Sequence, residues 1–340
     1  MEYKSLKRNG VQALILVFVL AIASCANPKN KEEAKVKEII KQESELSWIS
    51  FKWIGDSIGH RYFDKLGIAI PFSIDGVPHQ FQSQFDLGAI NTMVYGNSIQ
   101  PYLEEYQGLA AKLDTVDKKY NIQGKKMGSF KNMDFKLDNV SFQNRELLHF
   151  DGFGDVLTKD SIPTKSIKKM GTIGPDLFQE KYLLIDFPNQ RLSVLDSLNG
   201  HYKEKTYFVE AKLDQGRIKV PVSVNDSIQY FMFDTGSSMF PLVTTKDKIT
   251  LISNATNAND TIMVSTWGQY YNVHGYTITS AIAIDDLKIE SNNLNIYDCR
   301  DEYKGFFEKE GIMGIMGNTF FLDKEIIIDY KNSRFGVVKE

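Results

Sequence analysis

The chain has 340 residues, 42% of them hydrophobic and 12% aromatic, enough to bury a large core in about two domains, which excludes a disordered protein. Its 40 basic and 43 acidic residues leave a net charge of −3 with no one-signed tract in the folded part, so no nucleic-acid partner is expected. The five histidines are scattered, no His, Cys or carboxylate grouping has metal-ligand spacing, and no metal site is expected.

Lys4, Lys7 and Arg8 precede an apolar run from Val11 to Ala23, the layout of a targeting segment over residues 1–25. The run ends in Ile22-Ala23-Ser24-Cys25, which resembles the lipobox of bacterial lipoproteins. That resemblance implies cleavage before Cys25, acylation of its thiol, and an extracytoplasmic protein held to a membrane by lipid, facing the periplasm or the cell surface. An ordinary signal peptide or an uncleaved anchor is the alternative. With Cys25 lipidated only Cys299 is left, so no intrachain disulfide can form; Cys299 has no neighbouring His and reads as a small core residue.

Residues 26–47 are Lys- and Glu-rich and read as a polar tether, with a helix expected from Val36 to Ser44. From Trp48 onward the pattern is one of short β-type runs broken by Gly, Asn and Asp turns. Ile68 to Ile74 and Val77 to Phe85 flank Asp75-Gly76, a strong hairpin signal. The layout returns as Ile218 to Val224, a turn at Asn225-Asp226, and Ile228 to Phe233. Each hairpin delivers an aspartate at its end.

The second of these is Phe233-Asp234-Thr235-Gly236-Ser237, an apolar strand running into a carboxylate. A buried strand ending in Asp is costly unless that carboxylate is hydrogen-bonded or used. Gly236 lets backbone N–H groups approach it, and Thr235 and Ser237 bring hydroxyls near. Upstream, Phe85-Asp86-Leu87-Gly88-Ala89 repeats the approach, the Asp and the Gly at an offset of 148.

The register persists along the chain. Leu137-Asp138-Asn139-Val140 matches Ile284-Asp285-Asp286-Leu287 at an offset of 147. At 143, Gly171 to Phe178 matches Gly314 to Phe321, and Leu184 to Arg191 matches Ile327 to Arg334. An all-β chain of two similar lobes is therefore expected, with lobes over residues 48–199 and 200–340 and helix confined to the tether and to a turn or two after Gly174 and Gly317.

The order of these elements resembles that of the aspartic proteases: hairpin, Asp-Thr-Gly-type turn, further hairpins, then an apolar-apolar-Gly element (Thr172-Ile173-Gly174; Ile315-Met316-Gly317) and a closing Ile-Asp-Phe-type strand. The segments after Gly174 and Gly317 resemble the Gly-x-x-Leu-Leu turn of the retropepsin branch. Over roughly residues 60 to 340 the resemblance implies a pepsin-like duplicated fold with a central cleft between the lobes, an Asp86–Asp234 catalytic pair supported by Gly88, Thr235, Gly236 and Ser237, a peptide or protein substrate, no cofactor, and a monomer with both lobes in one chain. The two carboxylates would share one proton, and the hydroxyls beside Asp234 assign it to Asp86.

Leu87 stands where the family has Thr or Ser, so one cross-lobe hydroxyl bond is missing. This feature favours the alternative, a catalytically silent relative binding peptide or another ligand in the cleft. Tyr120 and the stretch from Trp267 to Tyr271 are candidates for the substrate-covering flap, or core aromatics. A serine hydrolase has neither a Gly-x-Ser-x-Gly elbow nor a His partner for Ser237 in its favour.

Overall fold

Alternation of apolar and polar residues governs the middle of the chain: Phe81–Phe85 buries every second side chain and leaves Gln82 and Gln84 half-exposed, as one strand of a sheet covered on one face does. The computed structural model describes residues 46–122, 124–266 and 269–339. The expected signal segment, Cys25, nearly all of the tether with its helix, and Trp267 lie outside the described residues. Leu46–Glu340 forms one compact unit, and it is mostly β.

Three sheets carry it. The eight-stranded one uses strands from Lys52–Ile58 to Lys168–Ile173, and the ten-stranded one uses strands from Lys212–Asp214 to Gly314–Met316. The six-stranded one takes strands from both parts of the chain, in the order Trp48–Ser50, Arg191–Leu195, Tyr182–Asp186, Glu325–Asp329, Arg334–Val338, Thr206–Glu210. At its centre Tyr182–Asp186 and Glu325–Asp329 run antiparallel with Leu184 opposite Ile327, and Tyr182 opposite Asp329 mirrors Asp186 opposite Glu325. Those residues are the ones matched at an offset of 143, so the pairing is symmetric about the Leu184 and Ile327 contact.

Strand pairing repeats as the sequence does. Phe81–Phe85 runs parallel to Lys168–Ile173, which is antiparallel to Met93–Tyr95, which is parallel to Val140–Phe150. Ser227–Phe233, Gly314–Met316, Leu242–Thr245 and Asn295–Cys299 repeat that sequence of directions. Phe85 pairs with Ile173, and Phe233 with Met316. The turns at Asp138 and Asp285 both place an Asp at positive φ, 50° and 51°.

The closing strands repeat down to side-chain bonds. Asp186 and Asp329 are wholly buried, and each accepts from an Asn three residues on and an Arg five residues on: Asn189 Nδ2 at 2.9 Å and Arg191 Nε at 2.7 Å, Asn332 Nδ2 at 2.9 Å and Arg334 Nε at 2.9 Å. A buried carboxylate is tolerated because its oxygens are bonded in this way.

Two expectations are corrected. Val77 to Gln80 is not strand: Gly76 turns at φ 78°, but Pro78 has no N–H to give a ladder, and the strand resumes only at Phe81. The Asn225-Asp226 turn, with both residues at positive φ, does join its strands directly. Helix occurs after Gly174 and Gly317, as Pro175–Phe178 and Asn318–Phe321, burying Leu177, Phe178, Phe320 and Phe321. It also occurs, unforeseen, at Gly96–Glu105 and Glu302–Glu310, and in shorter pieces at Gln107–Ala110, Gly200–Lys205, Lys159–Ser161 and Lys246–Leu251. The first buries Ile99, Tyr102 and Leu103, a helical spacing legible in the sequence; the second ends on Gly311 at φ 63°, a glycine C-cap.

Candidate active site

The two repeated turns meet. Phe81–Phe85 and Ser227–Phe233 each end one residue before an aspartate, and each is held there by the adjacent parallel strand: the Asp86 N–H donates to the Ile173 carbonyl at 3.0 Å and the Asp234 N–H to the Met316 carbonyl at 2.9 Å. The apolar-apolar-Gly elements close on these loops. A Cβ on Gly174 would lie 2.7 Å from the Asn91 carbonyl carbon, and one on Gly317 would lie 2.1 Å from the Ser237 carbonyl oxygen.

Gly88 and Gly236 allow the two carboxylates to approach. A Cβ on Gly88 would stand 2.5 Å from the Asp234 carboxyl carbon, and one on Gly236 would stand 2.6 Å from that of Asp86. The Gly88 N–H donates to Asp86 Oδ1 at 3.0 Å and to Asp234 Oδ1 at 3.1 Å, bridging the two. Asp86 also accepts from the Ala89 N–H at 3.0 Å, and Asp234 from the Gly236 N–H at 2.7 Å. The carboxyl groups hydrogen-bond each other, and both residues are half-buried, keeping part of their surface open.

Thr235 works across the join. Its hydroxyl accepts from the Leu87 N–H at 3.0 Å and donates to the Phe85 carbonyl at 3.1 Å, so it stiffens the Asp86 turn and has no hydrogen left for Asp234. Leu87 cannot reciprocate; its side chain is buried in the main core at 1% exposure. Ser237 gives its N–H to the Asp234 carbonyl at 3.2 Å, and no described hydrogen bond takes its hydroxyl to the carboxylate.

The hydroxyl argument that assigned the proton to Asp86 therefore does not hold. Burial raises both aspartates from the ordinary value of 3.8, and at Asp234 the charge of Asp86 adds to the effect of burial. Each accepts two amides, and Asp86 has in addition its bond from Asp234 and the more distant Lys169 ammonium to favour its ionised form. Two carboxyl groups bridged by one N–H in this way titrate as a single pair.

Sequence reasoning missed the residues around this pair. Thr92 donates its N–H and its hydroxyl to Asp176 Oδ1, both at 2.7 Å, and accepts from the Gly174 N–H at 3.1 Å, tying the apolar-apolar-Gly element to the first loop. Burial pushes Asp176 up to about 6. On the other side Asn318 Nδ2 donates to Ser238 Oγ at 2.8 Å and to the Thr235 carbonyl at 3.3 Å. The Tyr95 hydroxyl lies 2.6 Å from Thr172 Oγ1. Thr172, Asp176 and Asn318 lie in the matched elements, which could have drawn attention to them; Thr92, Tyr95 and Ser238 carry no such signal.

Tyr120 opens the two-stranded ribbon Tyr120–Ile122 with Lys125–Met127 and packs on the cluster containing Ala89, Met93 and Tyr95. Tyr271, like Met239 and Phe240 after the second turn, packs on the cluster of Val243, Ile262, Val273 and Tyr297, while Tyr270 is exposed. Cys299 is half-buried, and burial pushes its thiol up to about 12, as suits a packing residue. Among the described residues no three His, Cys, Asp or Glu side chains form a group fit for a metal ion, and no helix is long and apolar enough to cross a membrane. A surface depression of about 680 Å³ lined by Ile74, Asp75, Val77 and Phe142 includes neither aspartate. Comparison with models of known protein families finds none that matches the chain, and no curated protein matches it.

Proposed function

We propose that this protein is an aspartic endopeptidase with a duplicated, pepsin-like arrangement of two lobes, in which Asp86 and Asp234 activate water against a peptide bond. One observation carries the reading: each glycine of the repeated turns packs against the carboxyl group contributed by the other turn, bringing two hydrogen-bonded carboxylates onto a single bridging N–H. The symmetric pairing about Leu184 and Ile327 and the repeated Asp-Asn-Arg clusters support the duplication.

In this reading ionised Asp86 takes a proton from water as the oxygen attacks the peptide carbonyl, while the Asp234 carboxyl hydrogen-bonds the carbonyl oxygen and transfers its proton to it. The tetrahedral diol then collapses: a hydroxyl proton returns to the now ionised Asp234, the C–N bond breaks, and the leaving nitrogen takes the proton Asp86 had received. The pair ends as it began. The lipobox-like Ile22-Ala23-Ser24-Cys25 favours a single chain anchored by lipid outside the cytoplasm and acting on peptides or proteins there.

Leu87 favours a second reading, a silent relative that binds peptide in the same place, because the cross-lobe hydroxyl bond runs from Thr235 alone. A digest of a diverse peptide library from acid to neutral pH, read by mass spectrometry, separates the two. The endopeptidase reading requires internal cleavages by the wild type that disappear in Asp86→Asn and Asp234→Asn; peptide binding without cleavage at any pH supports the silent relative.

A further inference from the structure

Two residues before Asp86, Gln84 projects from the same face of its strand, since side chains alternate along a strand. Its Oε1 accepts from Lys169 Nζ at 2.9 Å. Lys169 is half-buried, 5.8 Å from the centre of the Tyr95 ring, and Tyr95 is tied to Thr172 on the Lys169 strand. Among the described residues no carboxylate lies within ion-pair distance of this ammonium. Asp155 and Asp86 act on it only at longer range, and Asp155 is exposed to water. A cation withdrawn from water with one neutral partner is expensive unless something else answers its charge.

The duplication supplies an internal comparison. At the same offsets, Gln84, Tyr95, Lys169 and Thr172 correspond to Met232, Val243, Ile312 and Ile315. Beside Asp234 the wall is thus wholly apolar, and Phe307 of the Glu302–Glu310 helix packs on Met232 and Ile312. The fold does not require a lysine at this place.

We propose that Gln84, Tyr95 and Lys169 form a subsite beside Asp86 that takes an anionic side chain, Asp or Glu, of the peptide next to the bond being cleaved. Lys169 supplies the charge, Gln84 Oε1 holds it, and the Tyr95 ring walls the far side. This rests on the endopeptidase reading for the position of the bond, though not for the preference itself.

The test uses the full-length protein in detergent and matched peptides that differ only by Glu, Gln or Lys at each position flanking the cleaved bond. At one such position the wild type should favour Glu over Gln by about tenfold in kcat/KM, the ratio expected of one charge-assisted hydrogen bond. Lys169→Met should bring that ratio to about one, Lys169→Arg should keep it, and Lys169→Glu should turn the preference toward Lys. Cleavage whose charge preference is the same in all four proteins overturns the subsite and leaves the endopeptidase standing. If the wild type cleaves nothing, calorimetric titration with the same peptides decides: Glu over Gln, lost in Lys169→Met, upholds the subsite without the chemistry, and equal affinities overturn it.

Discussion

The Thr235 hydroxyl accepts from the Leu87 amide across the join of the two aspartate turns, at 3.0 Å, and Leu87 has no hydroxyl to return the bond. Removing it leaves two buried backbone groups, the Leu87 N–H and the Phe85 carbonyl, without this partner. Thr235→Val keeps the shape and should cost about 2–3 kcal/mol by chemical denaturation, whereas Thr235→Ser should cost well under half of that. Leu87→Thr offers a hydroxyl to the Phe233 carbonyl, the position equivalent to Phe85. It also removes apolar surface from the core, so a loss of about 1–2 kcal/mol is expected with activity equal to or above the wild type.

Gly88 and Gly236 should tolerate nothing larger. The Cβ of Gly88→Ala or Gly236→Ala would meet the opposite carboxyl carbon at 2.5 or 2.6 Å, so the pair must separate and peptide cleavage should fall by about 10²-fold or more. Gly305→Ala is the control: its Cβ meets nothing within 4 Å, and Gly305 lies in the Glu302–Glu310 helix. It should raise stability by about 0.5–1 kcal/mol. Equal losses in all three variants would argue against close packing at the pair.

The repeat makes the pair legible in the sequence. Asp86 and Asp234, with Gly88 and Gly236, fall at one offset, and the strands that hold them fall at another. What the sequence hides is which partner each polar group chooses. Thr235 stands beside Asp234 in the chain, yet its hydroxyl serves the other turn; this removes the reason for placing the proton on Asp86. Lys169 follows Gln84 by 85 residues and reaches it only because their strands run parallel. No local pattern announces such a contact. The missed helices differ in kind, since Ile99, Tyr102 and Leu103 carry a helical spacing that Pro101 and a β-rich setting obscure.

Stability should depend on pH through Asp234. Its carboxyl is raised by burial and by the charge of Asp86, so the folded chain keeps a proton that the unfolded chain releases near the ordinary value of 3.8. Folding then takes up a proton above that pH, and stability falls as pH rises toward the raised value. Asp234→Asn removes this dependence. Thermal melts from about pH 3 to about pH 8 should give the variant a Tm advantage that grows as pH rises toward neutrality, and no advantage below the ordinary carboxylate range. A constant difference across the range would mean that Asp234 is not the proton holder.

The central claim is that Asp86 and Asp234 act as one unit, and the most direct measurement is kcat/KM for a single internally cleaved peptide in the wild type, Asp86→Asn, Asp234→Asn and the double variant. Each single substitution should lower it by about 10³-fold or more, and the double substitution should be no worse than either alone, since a shared proton is lost once. A single variant that keeps wild-type cleavage, or single losses that multiply in the double variant, would contradict the pair.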